Sequence, residues 1–310
     1  TGSRIKLTAG TDMVHLIDAS VYIFRAWFSV SDRVTDPAGR PVNAVLGFAR
    51  FLTGLLSEAR PEYVAVAFDE SLTSSFRNEL YPPYKANREL PPPELEHQFA
   101  LCREFAEAVG LACFSSDRYE ADDIIGTLAA QMRARGLACV VVTRDKDLSQ
   151  VLQGPDIFWD YAGGRRIGYR EASQVFGARP EQMPDYLGLV GDSVDNIPGV
   201  PGVGAKSAAA LLDEYADLDE IYASLDQVPT LAVRGAARLR ERLATHRDVA
   251  YLARTLATVA RDVPLGVEDE GALRRKRPDA ERVEALLGDL GFGRRLRSAV
   301  DELAHGQVWE

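Results

Sequence analysis

A chain of 310 residues, 46% of them apolar, is long enough for one large domain or two moderate ones, and no apolar run reaches membrane-spanning length. The formal net charge of −10 argues against nucleic-acid binding through overall charge, unless bound divalent cations reverse the sign where the acids gather. Three scattered cysteines lack metal-ligand spacing and fit free buried thiols in a reducing, cytoplasmic setting, and no secretory signal pattern is present.

Residues 1–12 carry neither strand nor helix pattern and read as a disordered tail or an expression remnant. Residues 14–18, 63–68, 111–114, 138–143 and 157–159 are short apolar runs without alternation, the mark of strands buried on both faces. Helical patterns at 22–28, 44–57, 94–109 and from the acidic turn at 119–123 to about 135 alternate with them. The expected fold class is therefore α/β, with a mainly parallel sheet flanked by helices over residues 13–168. Residues 74–93 break the pattern, being aromatic, basic and interrupted by proline. From residue 169 the strands are expected to stop. Helices at 180–190, 208–215, 230–243, 246–258, 278–290 and 295–304 then form an all-α subdomain over 169–310.

Carboxylates recur where strands end. Asp18 closes the first strand, Asp69 the second, and Asp145 and Asp147 follow the fourth. Glu120, Asp122 and Asp123 open a helix, and Asp192 and Asp195 lie in a loop of the helical part. One such acid is ordinarily a helix cap or turn residue. Nine converging on one pocket would repel strongly unless cations neutralised them. Hard divalent cations take such oxygen ligands, and a pair of them activates water and stabilises a leaving oxygen in phosphodiester hydrolysis. Arg77 and Lys85 are then expected to polarise the scissile phosphate, and Tyr84 to stack on an unpaired base. Gly199, Gly202 and Gly204, with Lys206 and Ser207, read as a helical hairpin whose backbone amides hold phosphate without sequence specificity.

Together these residues resemble the 5′-nuclease family: the 5′→3′ exonuclease domain of bacterial DNA polymerase I, phage 5′-exonucleases and flap endonucleases. The likeness runs from about residue 14 to 290. It is carried by Ile17-Asp18-Ala19-Ser20 with Phe24-Arg25-Ala26, Ala67-Phe68-Asp69, Phe76-Arg77, Tyr84-Lys85-Ala86-Asn87-Arg88, Tyr119-Glu120-Ala121-Asp122-Asp123, Asp145-Lys146-Asp147-Leu148, Gly191-Asp192 to Asn196 and the 199–206 hairpin. Several motifs in one order make it specific. The resemblance implies two Mg2+ or Mn2+ ions. Asp18, Asp69, Glu120 and Asp122 would hold one, Asp145, Asp147, Asp192 and Asp195 the other, with Asp123 between. It also implies catalytic roles for Asp122, Asp145, Arg77 and Lys85, the latter two in a helical arch at about 74–93. DNA contacts fall on Arg25, Tyr84, Arg88, Gly199, Gly202, Gly204, Lys206 and Ser207, and a K+ ion at a helix–three-turn–helix hairpin.

The implied activity is a structure-specific 5′ nuclease of DNA replication and repair, cytoplasmic and associated with the nucleoid. DNA with 5′ flaps, nicks, gaps or free 5′ ends is its partner, with a polymerase or ligase beside it and no membrane. Arg144 departs from the glycine common before the Asp-x-Asp pair. A non-catalytic binder of branched DNA and a PIN-type ribonuclease stay open as alternatives.

Overall fold

A computed structural model describes residues 12–70, 75–232 and 235–305, so Ser74 and nearly all of the leading tail lie outside the described residues. Six strands form one sheet: β1 (Met13–Asp18), β2 (Tyr63–Ala67), β3 (Ala112–Phe114), β4 (Ala138–Val142), β5 (Ile157–Asp160) and β6 (Arg165–Gly168). Their order is β3-β2-β1-β4-β5-β6, parallel throughout except for β6, which runs antiparallel to β5. β1 sits at the centre, with Ile17 level with Val66 of β2 and Val142 of β4.

Both faces of the sheet are covered, which is why its strands read as unbroken apolar runs. Ile17, Val64, Val66, Val140 and Val142 face α1 (Ala19–Ser29), α2 (Asn43–Ala59) and α4 (Pro93–Ala108). Val14, Leu16, Ala65, Cys139 and Val141 face α5 (Ala121–Ala134). A second core joins α7 (Met183–Val190), α8 (Ala205–Glu214), α10 (Ala236–Thr245) and α11 (Arg247–Ala257) into a helical module. Burial raises the Cys102 thiol pKa well above its usual value and those of Cys113 and Cys139 to about 12, as inert thiols require.

Three expectations need correction. The sheet does not end with the five expected strands: β6 adds a sixth, antiparallel one before residue 169, and an adjoining helix, α6 (Tyr169–Phe176), follows it. Ile167 is the only apolar residue of β6, too little for a strand pattern. Two short helices escaped notice: α3 (Phe76–Leu80), inside the expected irregular segment, and α9 (Leu218–Ala223). The region 169–310 is also not one subdomain. α12 (Ala280–Asp289) and α13 (Arg294–His305) return to the first core, where Val283, Leu286, Leu287, Leu296, Val300 and Leu303 cover the face formed by α2 and α4. Their apolar stripes needed that cover, and periodicity alone did not say which element would supply it.

Candidate active site

The chain leaves β1 for β2 and β3 on one side, then crosses to β4 on the other. That reversal opens a crevice beyond the carboxyl ends of β1 and β4, the usual ligand position in such sheets. Asp18 ends β1, Asp69 follows β2, and Asp145 and Asp147 follow β4. The opening turn of α5 brings Glu120 and Asp122 to the same edge, and Asp192 and Asp195 reach it from the loop after α7.

The strand ends hold these acids through local donors. Asp18 accepts from Thr143 Oγ1 at 2.8 Å and from the Val21 amide at 3.3 Å. Thr143 Oγ1 also accepts from the Asp145 amide at 3.0 Å, so one hydroxyl places both acids. Asp69 accepts from the Ala121 amide at 2.8 Å, and its own amide donates to Ser20 Oγ at 3.3 Å. Neither Thr143 nor Ser20 is expected at the site from sequence, although each stands within two residues of a chosen aspartate; Ser20 fits a cap of the first helix in sequence, but Asp18 takes that place. Asp147 is different: its Oδ1 is buried without a hydrogen-bond partner.

Burial, then mutual repulsion, penalises ionisation here. Burial and the charges of Asp69 and Asp145 raise Asp18 to about 7. Burial and Asp145 raise Asp147 to about 8. Asp122 is raised well above the carboxylate range by burial and by Asp145 and Asp18; Asp69 is raised by burial and Glu120, and Asp145 is raised chiefly by burial. Glu120 goes the other way. Burial acts to raise it, but Lys85 and then Arg77 outweigh burial and lower it.

Lys85 is held at the crevice by a strained backbone, with φ 55° in the left-handed region. Its amide donates to Asp195 O at 2.9 Å, and neighbouring Asn196 donates to Pro83 O at 2.6 Å. Lys85 Nζ then lies 2.6 Å from Glu120 Oε2 and 3.7 Å from Asp195 Oδ2. Arg88 pairs with Asp195, and Lys146 Nζ stands 3.8 Å from Asp192. Among the described residues, no three His, Cys, Asp or Glu side chains converge at liganding distance.

Three site expectations fail on geometry. Arg77 is only 3% exposed and does not face the crevice as a phosphate clamp. Its fork grips Asp123 at 2.7 and 2.8 Å, and its other donations reach Leu256 O at 2.7 Å and Thr258 O at 2.9 Å. Asp123 is fully buried, and besides Arg77 it accepts from the amides of Ala260 at 2.8 Å and Glu120 at 3.1 Å. It is a structural partner of Arg77, with no oxygen left for a shared metal. Tyr84 is 3% exposed, with its ring in the helical core and its hydroxyl 3.1 Å from Glu120, so it offers no stacking face. The 74–93 segment is thus docked on the 193–196 loop over its Tyr84–Arg88 part, where Asn87 also donates to Ser193 O at 2.9 Å.

The hairpin between α7 and α8 separates its glycines. A side chain at Gly199 would strike the Val190 backbone at 2.4 Å, so this glycine serves close packing. Gly202 turns at φ 75°, and its carbonyl accepts from Arg242 at 2.8 Å. Gly204 caps α8 beside exposed Lys206, while Ser207 is half-buried in its first turn. Arg25 is exposed on α1.

Comparison with known proteins identifies the family and the fold. Residues 13–176 match the 5′-3′ exonuclease N-terminal resolvase-like domain, and residues 178–281 the 5′-3′ exonuclease C-terminal SAM fold. DNA polymerase I of Rhizobium leguminosarum is 39% identical over 264 residues, covering 83% of this chain and 25% of the relative. That of Bacillus caldotenax is 38% identical over 286 residues, covering 89% and 31%. The chain therefore spans about a quarter to a third of the length of these curated relatives. Among solved structures, T5 5′-exonuclease with bound zinc superposes with a TM-score of 0.64 at 18% identity, covering 95% of this chain and 98% of that one. The catalytic core of Rad2 with a DNA substrate gives 0.61 at 15% identity, covering 98% and 95%. Both family domains are present in order and together take in most of the chain, which belongs to the 5′→3′ exonuclease family.

Proposed function

We propose that this chain is a structure-specific 5′ nuclease that hydrolyses DNA phosphodiesters at 5′ ends and 5′ flaps with the help of divalent cations. The observation that carries the reading is the crowding of Asp18, Asp69, Asp122, Asp145 and Asp147 at one sheet edge, with the buried Asp147 Oδ1 unpartnered. Carboxylates so placed stay protonated or repel one another until cations arrive, and a hard oxygen set suits Mg2+ or Mn2+. The names of two neighbours, one with zinc and one with a DNA substrate, support the same reading.

On this reading Asp18, Asp69, Glu120 and Asp122 hold one ion, and Asp145, Asp147, Asp192 and Asp195 the other. Such ions supply Lewis acidity at the scissile phosphate and acidify water beside it. Lys85 stands at the crevice to meet a phosphate oxygen, and half-exposed Arg88 extends its charge outward. The exposed amides opening α8, with Lys206, bind the duplex backbone, and Arg25 adds charge on α1. A K+ ion at the hairpin completes the proposed set. Cleavage leaves a 5′-phosphate and a 3′-hydroxyl, the ends on which a ligase or polymerase partner works in a cytoplasmic, nucleoid-associated setting.

The test is a 5′-flap duplex labelled at the 3′ end of the flap strand, incubated with Mg2+ or Mn2+ and then with EDTA. Metal-dependent cuts at or beside the junction are expected. Tight binding without any cut under either metal points to a non-catalytic binder. Preference for single-stranded RNA points to a PIN-type ribonuclease.

A further inference from the structure

The stretch 256–260, where α11 ends, is the seam between the helical module and the acidic crevice, and it is gripped from two sides. On one side Arg77 donates to Leu256 O and Thr258 O while forking onto Asp123, and Asp123 accepts from the Ala260 amide. Asp123 also accepts from the amide of Glu120, tying the seam to the turn that carries Glu120 and Asp122. On the other side buried Gln150 donates to Ala257 O at 3.0 Å and Asp147 O at 2.9 Å, and accepts from the Val259 amide at 2.9 Å. It ties the same stretch to the turn carrying Asp145 and Asp147. There is no slack between them: a Cβ at Gly126 of α5 would meet Val259 at 2.3 Å and Ala260 O at 2.9 Å. α11 in turn lies against α7, whose end leads into the Asp192–Asp195 loop and the hairpin.

We propose that Arg77, Asp123 and Gln150 are positioning residues that couple the helical module's grip on duplex DNA to the relative placement of the two carboxylate groups. The inference rests on the nuclease reading above. Duplex seated on the hairpin loads α7 and α11, and the seam passes that load to the Glu120–Asp122 and Asp145–Asp147 turns together. Metal affinity and duplex affinity are then linked, and by reciprocity each strengthens the other.

The linkage is read without turnover, by titrating Mn2+ into the protein and following free Mn2+ by electron paramagnetic resonance, with and without the cleaved duplex product. In the parent protein the duplex should tighten Mn2+ binding about tenfold, within the usual range of such couplings. Arg77→Lys keeps the charge on Asp123 but loses the fork that reaches both carbonyls. Gln150→Met removes the second grip without changing charge. Each variant should bring the duplex effect to within about twofold of none, while duplex binding in EDTA and the native circular dichroism stay as in the parent. A merely structural role would lower thermal stability and leave the linkage intact. Folded variants that retain the tenfold effect, or a parent that shows none, overturn the proposal. A parent that neither cuts a flap duplex nor binds Mn2+ overturns the nuclease reading beneath it.

Discussion

Arg77 and Lys85 stand eight residues apart in one segment, both beside acids, and do opposite things. Arg77 spends its fork on Asp123 and two carbonyls in a buried seam. Lys85, on a left-handed backbone, brings a single ammonium to Glu120 at the crevice. A planar guanidinium suits a fixed multi-point node, and a compact ammonium on a flexible stem suits a phosphate that comes and goes. Asp122 and Asp123 divide in the same way, one at the crevice and one behind it, because consecutive helical positions face about 100° apart. Basic or acidic character in a motif therefore does not identify a residue that meets substrate.

The largest effect is expected on the crevice side. Asp122→Asn or Asp145→Asn should cut the single-turnover rate on the order of a thousandfold while duplex binding survives, since each removes a charge that cation-assisted hydrolysis needs. Magnesium-dependent cleavage surviving in a pure mutant would refute the assignment. Arg77→Ala should cost about 3–5 kcal/mol of folding stability in urea titration, the cost of stranding a buried carboxylate. A change under about 1 kcal/mol would return Arg77 to the expected role of polarising the scissile phosphate. Lys85→Ala should lower the rate roughly a hundredfold, about 2.7 kcal/mol, with the melting temperature in Mg2+ little changed. Equal losses of rate and stability in the Lys85 and Arg77 variants would erase the contrast between them.

The smallest effect tests a buried group outside the crevice, three residues before Asp18 in β1. His15 lies against Trp159, and burial, then the Arg166 charge, lowers its pKa to about 4. The unfolded chain takes up a proton near pH 6.5 and the folded chain does not, so stability falls as pH drops from 7 through 5. The loss attributable to His15 is about 2 kcal/mol over that range. Crevice acids with raised pKa values act in the opposite direction, so the measured quantity is the difference between parent and His15→Phe. Identical pH profiles for the two proteins would dismiss His15 as a contributor.

Much of this was legible in sequence. The five parallel strands follow from short apolar runs, four of them closed by Asp or Thr, and the strand-end acids Asp18, Asp69, Asp145 and Asp147 follow from the strands. β6 was not legible, because one apolar residue in four gives no period. Neither was Gln150, whose three bonds are all to backbone groups, two of them more than 100 residues away in the chain.

By itself the sequence determined the α/β class, the order of the motifs and which oxygen-rich side chains lie at strand ends. Those features depend on local period and on the direction of a buried parallel strand. Only the tertiary structure decided that Asp123 and Arg77 satisfy each other, that Tyr84 is core, and that α12 and α13 cover α2 and α4. A buried charge needs its partner's position as well as its type, and an apolar stripe is satisfied by any complementary face, so both are settled where distant segments meet.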